Sequence, residues 1–249
     1  MVQLYKGNAM DILQHDIGLF DAVITDPPYA SGATLADKQQ GTARKYTGTK
    51  GRCPFPDFVG DAMDQRAWTR MMREVLTAAR DRCRPGAILA VFIDWRNLPS
   101  LYDAIQWAGW ALRGVVVWDK LSSRPQRGRF RQQTEYLVWA SNGPLPLQRG
   151  VGCLPGVYRS GNVQGAERLH QTQKPLEIMR EIVKITVPGG RILDPFAGSG
   201  TTLAAAQQEG FDAVGCEVHP AIAEAAARRL GVPVLSLPSA PRGNTVTDV

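Results

Sequence analysis

Four consecutive residues, Asp26-Pro27-Pro28-Tyr29, come directly after the apolar run Ala22-Val23-Ile24-Thr25. The two prolines fix φ and remove two backbone donors, so their carbonyls can only accept. With the Asp26 carboxylate they make a rigid, acceptor-only site suited to an –NH2 group. Tyr29 adds an aromatic face on which a planar base can stack, while Pro28 holds the turn. An exocyclic amine is a poor nucleophile because its lone pair is delocalised into its ring. Accepting its two hydrogens, one at Asp26 and one at the Pro27 carbonyl, favours a tetrahedral nitrogen and frees that lone pair. Asp26 then stabilises the positive charge that develops as the amine attacks. No covalent enzyme intermediate is needed, and no cysteine stands out as a nucleophile. Alone, the tetrapeptide is a moderate signal, since it is also compatible with a plain strand-ending turn.

A second segment gives it weight. Arg191-Ile192-Leu193-Asp194-Pro195-Phe196-Ala197-Gly198-Ser199-Gly200-Thr201-Thr202 reads as a strand, a glycine-rich turn and a helix start. Glycines let the backbone approach a ligand, and a helix N-terminus offers unpaired N–H groups. Only Gly198-x-Gly200 of a dinucleotide fingerprint is present, and the G-K-[ST] of a P-loop is missing. Glu217 ends the next strand, 19 residues after Gly198. An acid there can accept hydrogen bonds from both hydroxyls of a ribose. A tight turn plus a surface acid would also fit, but strand, loop, helix and acid in register favour a nucleoside-containing cofactor. Adenosine without a pyrophosphate points to S-adenosylmethionine.

Seven stretches read as the strands that position these residues: Val2–Tyr5, Ala22–Thr25, Ala87–Ile93, Val115–Trp118, Tyr136–Trp139, Arg191–Leu193 and Ala213–Cys216. Trp68, Met71, Met72, Val75, Leu76 and Ala79 share one helix face. Pro175 suits the first turn of a helix carrying Leu176, Met179, Ile182 and Val183. Ala-rich helices are expected from Thr201 to Glu209, closed by Gly210, and from Pro220 to Leu230. Alternating strands and helices predict an α/β fold with a doubly wound, mostly parallel sheet. No helical pattern separates the stretches ending at Trp118 and Trp139, which predicts an antiparallel hairpin at one edge.

The chain has 249 residues, 44% of them hydrophobic, enough for one domain with a sizeable core. We expect a single domain over 1–235, with substrate-contacting inserts at 31–60 and 121–170, and a flexible tail over 236–249. No run reaches the ~18 apolar residues of a membrane span, and no signal peptide is evident, so a cytoplasmic protein is expected. The four cysteines and three histidines show no metal-ligand spacing, which predicts reduced thiols and no metal. The net charge is +6, and its placement is informative. Lys38, Arg44, Lys45, Lys50 and Arg52 form one segment without an acid; Lys120, Arg124, Arg127, Arg129 and Arg131 form another. Either alone fits a solvated loop; two beside a site for a base point to a nucleic acid.

On these residues the chain resembles the beta class of DNA amino-methyltransferases, in which D-P-P-Y precedes F-x-G-x-G. The likeness spans about residues 1–230. It includes Pro85-Gly86-Ala87-Ile88-Leu89, Trp118-Asp119-Lys120, Glu135-Tyr136 and His170-Gln171-Thr172-Gln173-Lys174-Pro175. The resemblance implies a seven-stranded sheet with one reversed strand, S-adenosylmethionine as cofactor, duplex DNA as substrate and a homodimer as a common assembly. It puts the N-terminal strand beside the one ending at Glu217, and the D-P-P-Y strand beside the one ending at Asp194. It also implies that Lys174, with His170 and Thr172, lies near the methionine part of the cofactor. Where the family often has Gly-Asp after its first strand, this chain has Gly7-Asn8 followed by Ala9, so a neutral hydrogen bond from Asn8 to the adenine replaces a charged one.

The implied activity is transfer to N6 of adenine, a paired group that must be extruded from the duplex. Cytosine-N4 enzymes of the class more often carry Ser at the position of Asp26, which favours adenine. An RNA amino-methyltransferase and a DNA-binding relative without catalysis are further alternatives. Determinants of target sequence are expected in 121–133 and 141–169, among them Arg127, Arg129, Arg131, Gln132, Gln133, Arg149 and Arg159.

Overall fold

Residues 88–93 alternate faces with the period of a strand: Ile88, Ala90 and Phe92 join one buried cluster, and Leu89, Val91 and Ile93 join another. A run apolar at every position therefore means a strand covered on both sides. The computed structural model of the chain describes residues 1–30, 63–121, 125–161 and 174–237. It contains nine strands among those residues: β1 (Val2–Lys6), β2 (Phe20–Thr25), β3 (Cys83–Ile93), β4 (Ala111–Asp119), β5 (Thr134–Ser141), β6 (Val157–Arg159), β7 (Arg191–Asp194), β8 (Asp212–Glu217) and β9 (Val234–Leu235). They form one sheet in the order β6-β4-β5-β3-β2-β7-β8-β1-β9. Only β5 runs against its neighbours.

The expected α/β, doubly wound, mostly parallel sheet is present, with two strands more than the seven expected. The additions are short. β6 pairs with β4 over three residues and β9 with β1 over two, so neither shows a periodicity that its sequence would reveal. The hairpin of β4 and β5 consequently lies one strand in from the edge. β3 also begins four residues ahead of its apolar run, because Phe20 pairs with Cys83 before the register shifts.

Six helices lie among the described residues: α1 (Ala9–Gln14), α2 (Gln65–Asp81), α3 (Leu98–Trp107), α4 (Leu176–Val183), α5 (Thr201–Gln208) and α6 (Pro220–Leu230). Ile12, Trp68, Met72, Leu76, Leu101 and Ile105 from α1, α2 and α3 cover one face. Ile178, Met179, Ile182, Leu203, Ala205, Ala226 and Leu230 from α4, α5 and α6 cover the other. Pro175 is the N-cap of α4 rather than a member of its first turn. None of these helices is long and apolar enough to cross a membrane.

β1 lies parallel to β8, pairing Lys6 with Glu217, and β2 lies parallel to β7, pairing Val23 with Leu193. The chain winds outward in opposite directions from β2 and β7, so the crevice beyond their carboxyl ends is a topological switch point. Asp26 and Asp194 stand at that crevice.

Candidate active site

The Asp-Pro-Pro-Tyr turn is clamped from behind. Trp68 of α2, fully buried, donates from Nε1 to the Pro28 carbonyl at 2.6 Å. Asn97, the N-cap of α3, donates from Nδ2 to the Tyr29 carbonyl. Among the described residues no donor meets the Pro27 carbonyl, so it is the one carbonyl of the three left open. α2 thus has two functions. One side packs into the core, while Met71, Glu74 and Val75 line the cavity in front of the turn.

The Asp26 carboxylate sits in a half-buried cluster of charges. Its Oδ1 accepts from the Tyr29 hydroxyl at 2.7 Å, and its Oδ2 accepts from Lys174 Nζ at 2.7 Å. Lys174 is 6% exposed and also reaches Glu135 at 3.2 Å and the Tyr29 hydroxyl at 3.0 Å. Glu135, on the reversed strand β5, takes Lys120 on its other oxygen at 3.1 Å. Each Asp26 oxygen keeps a lone pair beyond these bonds.

Burial pushes the Asp26 carboxyl above its ordinary range; Lys174 opposes the rise and Glu135 adds to it. Glu135 is also penalised by burial, but Lys174 and Lys120 outweigh this and hold it below its usual value. Burial, then the two carboxylates, push the Tyr29 hydroxyl well up, so it remains a donor. Lys174 is raised: burial disfavours its charge, but Asp26 and Glu135 more than compensate.

The glycine-rich loop stands across the crevice. Asp194, 2% exposed, accepts from Thr25 Oγ1 at 2.6 Å and from the Phe196 N–H at 3.1 Å, so its carboxylate ties the loop to β2. Burial raises its carboxyl to about 6, against the hydrogen bonds from Thr25 and Thr202. Gly200 has φ 76° and caps α5, a left-handed conformation that costs a non-glycine residue strain. Glu217 accepts from the Gly198 N–H at 2.9 Å and the His219 N–H at 2.7 Å, and burial raises its carboxyl. His219 Nδ1 is buried with no partner among the described residues.

These groups enclose a cavity of about 450 Å³, within the range of small-molecule sites. Asp26, Pro27, Pro28, Tyr29 and Lys174 line one end; Asn8, Ala9, Asp194, Pro195, Phe196, Ala197, Gly198, Ser199, Thr201 and Glu217 line the rest. Gly200 is absent from the lining, since its role is to cap α5. Asn8 is exposed at the cavity's rim, its side chain accepting from the Met10 N–H at 3.0 Å as the cap of α1. Cys216 also lines the cavity, and burial pushes its thiol up, away from the reactive thiolate. Among the described residues no group of three or more His, Cys, Asp or Glu could hold a metal.

The structure therefore brings together both predicted segments and Glu217. Lys174, expected near the methionine part of the cofactor, lines the same cavity and places its ammonium on Asp26 and Glu135 at the tetrapeptide. Sequence reasoning assigned no role to Glu135, although an acid opening the apolar strand Tyr136–Trp139 is an available signal. Arg127, Arg129 and Arg131 are exposed on the connection between β4 and β5. Arg149 donates to the Ile185 carbonyl at 2.8 Å and Gln133 to Asp119 at 3.0 Å. Lys38, Arg44, Lys45, Lys50, Arg52, Arg124, His170 and Thr172 lie outside the described residues.

The sheet order, the single reversed strand and a cavity at the switch point define a doubly wound α/β domain with that cavity at its carboxyl edge. The chain belongs to the N6/N4 DNA methylase family, whose model, described as DNA methylase, matches residues 20–148 and 152–228. The type II methyltransferase M2.DpnII of Streptococcus pneumoniae is 25% identical over 260 residues, covering 91% of each protein. The crystal structure titled M1.HpyAVI-SAM complex shares the fold with a TM-score of 0.68 and 23% identity, over 93% of this chain and 100% of that one. The PvuII DNA methyltransferase, titled cytosine-N4-specific, also superimposes with a TM-score of 0.68, at 16% identity over 92% of this chain and 86% of that one.

Proposed function

We propose that this chain transfers a methyl group from S-adenosylmethionine to N6 of an adenine extruded from duplex DNA. The observation that carries it is the shared cavity: Asp26 and the open Pro27 carbonyl lie at one end, the Gly198 loop and Glu217 at the other. The donor set suits that cofactor. Glu217 keeps lone pairs for ribose hydroxyls, and the buried His219 Nδ1 has no partner among the described residues. Asn8 and Ala9 border the same end. M1.HpyAVI has been solved with this cofactor in the same fold.

When bound, S-adenosylmethionine supplies a methyl group activated by a sulfonium. The chain's own residues prepare the amine. Asp26 accepts one hydrogen and the Pro27 carbonyl the other, and the carboxylate offsets the positive charge that grows on nitrogen. Tyr29 and Lys174 hold Asp26 from both oxygens, so it need not reorganise as that charge develops. Trp68 and Asn97 fix the turn. The proton finally lost from nitrogen has Asp26 as its nearest acceptor, and its raised pKa suits it to that task.

The PvuII likeness keeps transfer to cytosine N4 as the second reading. The Asp26 carboxylate favours adenine. Incubating the protein with methyl-labelled cofactor and unmodified duplex DNA, then resolving the nucleosides, tests this: label in N6-methyladenine is expected. Label in N4-methylcytosine would overturn the choice of base, and no label in DNA would overturn the function.

A further inference from the structure

β4 runs parallel to β2 and β3, so its carboxyl end lies at the edge that carries Asp26, and β5 starts back from that edge. The connection 120–133 therefore springs from beside the site. Its base is fastened there. The Lys120 N–H donates to the Gln133 carbonyl at 2.8 Å, and Gln133 Nε2 donates to Asp119 at 3.0 Å. Glu135, one residue into β5 and paired with Trp118, accepts from Lys120, bridges to Lys174 and stands 3.2 Å from the Tyr29 hydroxyl.

Further out, the chain makes a turn over Gln126–Arg129. The Arg129 N–H donates to the Gln126 carbonyl at 3.3 Å, its guanidinium donates to the Gln126 side chain at 3.1 Å, and Gly128 takes φ 71°. The next residue is Phe130, which is 95% exposed. An aromatic ring held almost wholly in water forgoes the burial that large apolar side chains normally gain. Phe130 is flanked by Arg127, Arg129 and Arg131, and no acid occurs between residues 120 and 134. Arginines that alternate around an exposed ring fit a polyanion whose interior is aromatic.

We propose that Phe130 is an intercalating side chain that enters duplex DNA next to the target base, while Arg127, Arg129 and Arg131 seat its turn on the phosphates. This rests on the proposed transfer to DNA. Extruding a base leaves a gap in the stack, and an apolar ring placed there offsets the lost stacking and holds the base out. The fastening of the loop base to Glu135 and Lys120 ties the depth of the ring to the position of Asp26.

Once sequencing of methylated DNA has given the target site, steady-state transfer is measured on two duplexes. In one the target base is correctly paired; in the other it faces an abasic position, which removes much of the cost of extrusion. Phe130→Ala should lower kcat/KM on the paired duplex by roughly 5- to 100-fold, the usual worth of one stacked base. On the abasic duplex most of that loss should vanish. Arg129→Ala, a phosphate contact, should lose about equally on both and show a shallower salt dependence. Phe130→Ala with unchanged transfer on the paired duplex, or with equal loss on both, overturns the intercalation. A changed sedimentation mass without a selective loss would assign the ring to self-association instead and likewise overturn it. If the wild-type chain methylates no DNA, the underlying function fails, a result distinct from a wild-type chain that methylates and a Phe130→Ala variant that does so equally well.

Discussion

Asp26 is held between a cation and an anion, and the two can be separated by mutation. Lys174 lowers its pKa and Glu135 raises it. The acceptor role needs the carboxylate, so transfer should fall as pH drops through the raised Asp26 pKa. Glu135→Gln removes the anion and leaves Asp26 as the one carboxylate on Lys174 among the described residues; both changes favour the carboxylate. The acid limb of the kcat/KM profile should therefore move to lower pH. An unmoved limb would mean that Glu135 does not act through Asp26. Asp26→Ala should lower transfer by about 100-fold or more, the usual cost of losing a transition-state hydrogen bond, while cofactor binding by calorimetry survives. At this scale the identities of Asp26, Pro27 and Glu217 were legible because each sits next to a proline pair, a strand end or a glycine turn. Glu135 was not, because its partner Lys174 is 39 residues away and its importance comes only from the pairing of β4 with β5.

The elements supply the clearance that lets the two segments approach. Gly215 of β8 has no room for a side chain: a Cβ there would stand 2.8 Å from a Leu203 methyl and 2.9 Å from the Ala197 Cβ. Gly215→Ala should force α5 and the glycine-rich loop outward, destabilising the fold by about 1–3 kcal/mol and weakening cofactor binding. Urea denaturation and calorimetry check the two effects; unchanged values in both would show that the contact relaxes freely. Helices α2, α4, α5 and α6 were legible from their apolar spacing or Ala-rich runs. Helix α3 was missed although Leu98, Leu101, Tyr102 and Ile105 carry the i, i+3, i+4, i+7 spacing. Helix α1 is too short for any periodicity and exists through the Asn8 cap and its packing against α2.

For the whole molecule, the sheet closes over a carboxylate at its centre. Asp194 has its pKa raised to about 6 in the folded chain by burial, against an ordinary value of 3.8. A raised pKa means that the folded state binds the proton more tightly. The Asp194 contribution to stability is thus most favourable below about pH 4 and is lost as pH rises through about 6. Asp194→Asn keeps an oxygen for Thr25 and Phe196 but does not titrate. Between pH 4 and 7 the unfolding free energy of the wild type should fall relative to this variant, by an amount on the order of 3 kcal/mol. Parallel curves for the two proteins would show that the carboxyl is not perturbed by folding.

Local chemistry was enough to determine the class of this protein. Two prolines after an aspartate leave only acceptors, and a strand running into Gly198-Ser199-Gly200 makes a ligand turn; neither depends on distant residues. The alternation of apolar strands with amphipathic helices likewise determined a doubly wound sheet, since both faces had to be covered. Only the tertiary structure decided what surrounds Asp26. Lys174, Glu135 and Lys120 converge there because β5 is threaded in reverse beside β3, and Trp68 and Asn97 reach the turn because α2 and α3 pack on the same face of the sheet. Such contacts join positions far apart along the chain, and their energies come from burial and charge that exist only once the sheet has closed.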